Sequence, residues 1–148
     1  MSSQSPETRQ NYDSDEKLLI VIDGHALVHR SFHAIQQPLT VSATGEDVRA
    51  VYGFANAFIR SLSEWNPSHI VITFDLPAPT FRHKMFDEYK AHRPPTPPEL
   101  RGQFDRVRQL MSTFNVPIFE LEGFEADDLI GTLSNQADKL KIKTLILT

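Results

Sequence analysis

The chain has 148 residues, of which 40% are apolar and 23% charged, and its net charge is −4. These values are typical of one soluble globular domain and do not by themselves indicate a nucleic-acid-binding protein. The absence of cysteine excludes disulfides and thiolate metal ligands, so a metal would need oxygen or imidazole ligands. No apolar run reaches the roughly 18 residues that a membrane span requires. Residues 1–17 are polar and aperiodic, which predicts a disordered tail rather than a secretory signal, and a cytoplasmic location is expected.

Three short apolar runs predict buried strands of a parallel sheet. Leu18–Ile22 is followed by Asp23, Ile70–Phe74 is followed by Asp75, and Thr144–Leu147 lies at the end of the chain. A further short strand is predicted over Val116–Phe119.

Apolar residues at intervals of three or four predict helices between these strands. The first helix carries Val51, Ala55, Phe58, Leu62 and Trp65. The second carries Leu100, Phe104, Val107, Met111 and Phe114. The third begins near Glu125 and carries Leu129, Ile130, Leu133, Ala137 and Leu140. This alternation predicts an α/β domain with a central, mainly parallel sheet flanked by helices, and we expect it to be incomplete at its C-terminus because no helix follows the last strand.

The segment from Arg82 to Arg108 is basic although the whole chain is acidic. It holds seven Lys or Arg residues against four Asp or Glu residues. On charge alone a solvated helical face is the simpler interpretation. The candidate phosphate-binding cations here are Arg82, Lys84, Lys90 and Arg93, and the candidate base-stacking residues in or next to this segment are Phe81, Phe86 and Tyr89. Phe81 and Phe86 could equally be core residues, and the proline-rich stretch 94–98 either closes an excursion from the sheet or forms a stiff loop.

Carboxylates occupy the positions at which a parallel α/β sheet forms its sites. Asp23 and Asp75 each follow a predicted strand, at the carboxyl edge where ligands bind such sheets. Glu125, Asp127 and Asp128 begin the third helix, and the first and last of them share one helical face. One such acid alone is more simply a turn residue or a favourable charge at a helix N-terminus. Five acids converging on one crevice would repel one another unless cations lay among them.

The chemistry of these acids predicts a metal site. Oxygen ligands suit Mg²⁺ or Mn²⁺, and two such ions about 4 Å apart would stabilise the attacking and leaving oxygens of a phosphodiester displacement. No glycine-rich phosphate motif and no Ser/His/Asp or Cys/His arrangement competes with this interpretation.

Seven short motifs follow one another over about nine-tenths of the chain. They are Leu-Ile-Val-Ile-Asp-Gly-His at 19–25, Arg-Ser-Phe-His-Ala at 30–34, Val-Tyr-Gly-Phe at 51–54, Thr-Phe-Asp at 73–75, Thr-Phe-Arg at 80–82, Tyr-Lys-Ala-His-Arg-Pro-Pro at 89–95 and Gly-Phe-Glu-Ala-Asp-Asp at 123–128. In this order they resemble the 5′ nuclease domain of bacterial DNA polymerase I, within the flap endonuclease superfamily.

The resemblance implies a PIN-like fold over 18–148 and a metal-dependent 5′-3′ exonuclease and flap endonuclease. Its implied substrate is DNA with 5′ ends, flaps or nicks, and its implied role is in DNA replication and repair. The resemblance further implies a monomeric protein in the bacterial cytoplasm, at the nucleoid, with no membrane association. The implied metal ligands, for two Mg²⁺ or Mn²⁺ ions in the complete domain, are Asp23, Asp75, Glu125, Asp127 and Asp128. Lys90 and Arg93 are implied to engage the scissile phosphate from a helical arch over about 81–98. The further implied DNA contacts are Arg30, Arg82 and Tyr89.

The chain departs from the family in two respects. His29 stands where the family usually has a tyrosine, and the chain ends before the family's further acids and its helix-hairpin-helix region. We therefore expect weak or no cleavage by this chain alone. Two other functions stay open: a non-catalytic fragment that binds metal or branched DNA, and a metallohydrolase such as a PIN-type ribonuclease or a phosphatase, which would generally lack the arch.

Overall fold

The computed structural model describes residues 16–148, so nearly all of the tail predicted over 1–17 lies outside the described residues. The elements in chain order are β1 (Leu18–Asp23), α1 (Gly24–Ala34), α2 (Arg49–Trp65), β2 (His69–Thr73), α3 (Phe81–Met85), α4 (Pro98–Thr113), β3 (Ile118–Phe119), α5 (Ala126–Lys139) and β4 (Lys143–Leu147). Within the described part of the chain, no helix is long and apolar enough to cross a membrane.

The four strands form one parallel sheet in the order β3-β2-β1-β4. Ile20, at the centre of β1, pairs with Ile70 on one side and with Leu145 on the other. The predicted α/β class with a parallel sheet flanked by helices is thus confirmed. β3 is shorter than predicted, because only two of its residues pair with β2.

Side chains that alternate along β1 divide the core into two layers. Ile20 and Ile22 belong to a large apolar cluster that α1, α2 and α4 complete on one face of the sheet. Val21 belongs to a smaller cluster on the other face, where it packs with Val71 and with Ile130 of α5. Helices therefore cover both faces, and the carboxyl ends of β1 and β2 meet at one edge.

The first turn of α2 is capped by a residue distant in sequence. Val48, which precedes the helix, provides no side-chain cap. Instead Gln103 of α4, only 1% exposed, accepts hydrogen bonds from the backbone N–H of Ala50 at 2.7 Å and of Val51 at 3.4 Å. Its amide nitrogen donates to the carbonyl of Glu99. The packing of α4 against α2 therefore also satisfies donors that would otherwise be buried without partners.

The segment between β2 and α4, called the arch segment below, covers the residues over which a helical arch was predicted. It consists of α3, three successive tight turns ending at Arg93, and an extended proline-rich stretch that leads to Pro98 at the first position of α4. Proline suits that position because its missing N–H would have no intrahelical partner.

Candidate functional site

The end of β1 is joined directly to α1. Asp23 is the N-cap of α1, and its Oδ1 accepts a hydrogen bond from the backbone N–H of Ala26 at 3.1 Å. Gly24 follows because the ring of Phe74 leaves no room for a side chain: a β-carbon there would lie 2.5 Å from the ring. The Asp-Gly pair thus brings the start of α1 against the end of β2.

Asp75 connects α1 and α5 at this edge. Its backbone N–H donates to Nδ1 of His25 at 3.2 Å, and its Oδ1 accepts from the backbone N–H of Ala126 at 2.6 Å. The neutral ring of His25 therefore carries its proton on Nε2. Burial lowers the pKa of His25 and outweighs the opposing effect of Asp75, which favours this neutral form.

Two acids at the start of α5 are bound by cations from the arch segment. Glu125 and Asp128 form a capping box, in which each side chain accepts from the other's backbone N–H. Arg82 donates to both oxygens of Asp128, at 2.7 and 2.8 Å, and to Glu125 at 3.2 Å. Lys90 donates to Oε1 of Glu125 at 2.5 Å, and the Tyr89 hydroxyl donates to Oε2 at 3.1 Å.

These contacts keep both acids ionised. Burial raises the pKa of Glu125, but hydrogen bonds from Lys90 and Tyr89 and the charges of Lys90 and Arg82 outweigh it, so that its pKa lies below the ordinary value. The hydrogen bonds from Arg82 are the main reason why the pKa of Asp128 is also lowered. The same contact raises the pKa of Arg82.

A pocket of about 240 Å³ lies at this edge of the sheet, lined by Asp23, His25, Ala26, His29, Asp75, Lys90, Arg93, Glu125, Ala126 and Asp127. The structure thus brings together four of the five predicted metal-binding acids and both predicted contacts to the scissile phosphate. The remaining acid, Asp128, is turned towards Arg82 and does not line the pocket. The predicted DNA contacts outside the lining are Arg30, which is exposed, Arg82 and Tyr89.

The donor set fits a hard divalent cation by its chemistry, because the four lining acids offer only oxygen ligands. Their side chains are not yet arranged as a coordination shell: among residues 16–148, no three His, Asp or Glu side chains are grouped closely enough to hold an ion. Three of these acids, Asp23, Asp75 and Glu125, accept hydrogen bonds from neighbouring protein groups.

Two histidines in the pocket were given no role by the sequence. His25 and His29 are one turn apart on α1, and both rings contact Phe104 of α4. Burial lowers the pKa of His29, with further contributions from His33 and Arg93. The available signal in the sequence was that His25 and His29, which follow Asp23, are four residues apart. In a helix this spacing places both rings on the same face, the one that begins at the pocket.

Residues 18–148 match the protein family described as the 5′-3′ exonuclease, N-terminal resolvase-like domain. A DNA polymerase I of Chloroflexus aurantiacus is 44% identical over 131 residues, which are 88% of this chain and 14% of the polymerase. The chain thus spans about one seventh of the length of the curated relatives it matches.

Solved structures show the same fold. The D15 protein of bacteriophage T5, crystallised with metal ions, superimposes with a TM-score of 0.62 at 18% identity, over 88% of this chain and 48% of the phage protein. The T5 D15 flap endonuclease in a pseudo-enzyme-product complex with DNA and metal ions gives a TM-score of 0.56 at 17% identity, with the same coverage. At such identities the likeness shows the fold, while the family rests on the match over 18–148. The chain belongs to the 5′-3′ exonuclease family, of which it carries the N-terminal resolvase-like domain.

Proposed function

We propose that this domain provides the metal-binding half of a nuclease that hydrolyses phosphodiester bonds of DNA at 5′ ends, flaps or nicks. The observation that carries the proposal is the composition of the pocket. Asp23, Asp75, Glu125 and Asp127 face it together with Lys90 and Arg93, which combines ligands for a cation with contacts for a phosphate. The complex of the related T5 flap endonuclease with DNA and metal ions supports the same substrate class.

The four lining acids are the proposed ligands of Mg²⁺ or Mn²⁺, and two such ions are proposed. A bound divalent ion would supply a hydroxide nucleophile at neutral pH and offset the charge that develops on the leaving oxygen. The remaining acid has a different role: because both oxygens of Asp128 accept from Arg82, we assign it to holding the start of α5 in place.

The cations and imidazoles of the pocket act on the substrate. Lys90 and Arg93 neutralise the phosphate next to the bond that is cut, which draws the DNA backbone towards the acids. His25, fixed by the backbone of Asp75, presents its Nε2 proton as a hydrogen-bond donor, while burial against α4 excludes water from that side. We also propose that Arg30 and Tyr89 contact DNA further from the bond, and that the protein acts as a monomer in the bacterial cytoplasm.

Cleavage of a labelled 5′-flap DNA in Mg²⁺ or Mn²⁺ tests this function, with an RNA flap of the same sequence as the second substrate. The proposal predicts that the DNA flap is cut and that Asp75→Asn or a chelator abolishes cleavage. Glu64→Gln, on the exposed face of α2, is the matched control and should cut normally. Preferential cleavage of the RNA would favour a ribonuclease. Binding of flap DNA without any cleavage would favour the non-catalytic alternative.

A further inference from the structure

Glu125 is the most enclosed acid of the pocket, with 8% of its side chain exposed. Its oxygens are shared among three donors of the arch segment: Lys90 on Oε1, and Tyr89 and Arg82 on Oε2. A buried carboxylate requires such partners, because an uncompensated charge in this environment is very unfavourable. Each donor therefore stabilises Glu125 as the structure shows it.

The three donors differ in how firmly they are held. Arg82 is fixed by its paired hydrogen bonds to Asp128, and its guanidinium also stacks on the ring of Phe81. Within residues 16–148, the Lys90 ammonium has one hydrogen-bond acceptor, the carboxylate of Glu125, and it lies 5.2 Å from the centre of the neighbouring Tyr89 ring. Among the described residues, the Lys90 ammonium is thus the cation whose position depends most directly on Glu125.

The backbone of Lys90 is strained. Its φ is +57°, in the left-handed region that residues with a β-carbon rarely adopt, and it lies within the tight turns that end at Arg93. Non-glycine residues keep such a conformation only where surrounding contacts compensate its cost. The contacts of Tyr89 and Lys90 with Glu125 are the ones that hold this turn against α5.

We propose that Lys90 is an exchangeable counter-ion of Glu125. The inference rests on the proposed function, in which Glu125 is a metal ligand. A divalent cation competes with the Lys90 ammonium for Oε1 of Glu125 and with the Tyr89 hydroxyl for Oε2, so binding of the cation displaces both donors. The turn that carries Lys90 is then released from α5, and its ammonium becomes available to a phosphate of the DNA. By freeing Lys90, a bound metal strengthens the binding of a DNA phosphate by some factor. Because the two binding free energies are linked, the DNA phosphate strengthens metal binding by that same factor.

The first test measures the Mn²⁺ affinity of the whole chain from the electron paramagnetic resonance signal of free Mn²⁺. Lys90→Gln and Arg93→Gln each remove one positive charge from the same pocket, but only Lys90 contacts Glu125. We expect Lys90→Gln to lower the dissociation constant about tenfold, as for the loss of a competing charged hydrogen bond. Arg93 acts on the acids only through longer-range electrostatic interactions, so Arg93→Gln should lower the dissociation constant about threefold or less.

The second test uses the unchanged protein, so it does not depend on how the variants fold. Hydrogen exchange of the peptide that covers 87–92 should become faster when Mg²⁺ is added, because the turn loses its attachment to α5. Equal effects of the two substitutions, weaker binding by Lys90→Gln, or unchanged exchange with Mg²⁺ would each overturn the proposal. If the unchanged protein bound no Mn²⁺, the proposed metal site would be wrong, and this inference would fall with it.

Discussion

Replacement of Gly24 by alanine tests the packing on which the site depends. The added β-carbon would lie 2.5, 2.7 and 2.8 Å from three carbons of the Phe74 ring, well inside van der Waals contact. That ring is 1% exposed, so it cannot move aside without displacing its neighbours in the core. Overpacking of this kind lowers the free energy of unfolding by about 1–3 kcal/mol, which should exceed any gain from the better helix propensity of alanine.

Urea unfolding followed by circular dichroism measures this effect, and Gly131→Ala is the matched control. Gly131 lies on the exposed side of α5, where a β-carbon would meet no heavy atom within 4 Å, so alanine there should stabilise the protein by about 0.5–1 kcal/mol. Gly24→Ala should also weaken Mn²⁺ binding, because Gly24 and Phe74 directly adjoin Asp23 and Asp75. If Gly24→Ala unfolded at the same urea concentration as the unchanged protein, the close contact between α1 and the end of β2 would be refuted.

Three further predictions concern the contacts of other polar side chains. Gln103→Leu should lower the free energy of unfolding by about 1–3 kcal/mol, since it leaves the N–H of Ala50 without its buried acceptor, and amide exchange at Ala50 should become faster. Arg82→Gln should raise the pKa of Asp128 towards its ordinary value of 3.8, measured by carbon NMR of the carboxyl group; an unchanged pKa would contradict the paired hydrogen bonds. The pKa of His29 is lowered from 6.5, so the folded protein favours the neutral ring. The contribution of His29 to the free energy of unfolding is therefore fully present above pH 6.5 and should be lost as the pH falls through the lowered pKa. His29→Gln should reduce this decline in unfolding experiments between pH 7.5 and 5, and an identical pH profile would count against it.

The fold could be predicted from sequence where a local pattern determines the structure. The apolar runs of β1, β2 and β4 and the periodic residues of α2, α4 and α5 give elements within a few residues of those observed. Helix α1 was not predicted, because in this chain it follows β1 without a loop and its histidines interrupt the apolar pattern. The cap that Gln103 provides for α2 has no local signal at all, since it joins positions 53 residues apart.

The candidate site was predictable in its composition and less so in its contacts. The rule that sites form beyond the carboxyl ends of parallel strands placed Asp23 and Asp75 correctly at one edge of the sheet. Glu125 and Asp128 share a helical face, and the family resemblance implied the same metal-binding role for both. Their partners separate them, since Arg82 pairs mainly with Asp128 and Lys90 with Glu125. Such pairing depends on how a segment some 40 residues earlier packs against α5, which no spacing in the sequence specifies.

The position of β4 has a consequence for folding during synthesis. Leu18 pairs with Lys143, so one edge of β1 stays unpaired until β4, about 125 residues later in the chain, has been synthesised. At translation rates of about 5–20 residues per second, that delay is roughly 6–25 s. During this time the backbone N–H and C=O groups along that edge of β1 have no strand to pair with. An unpaired strand edge is a template on which another extended chain can pair, so this interval is when the domain is most open to edge-to-edge association.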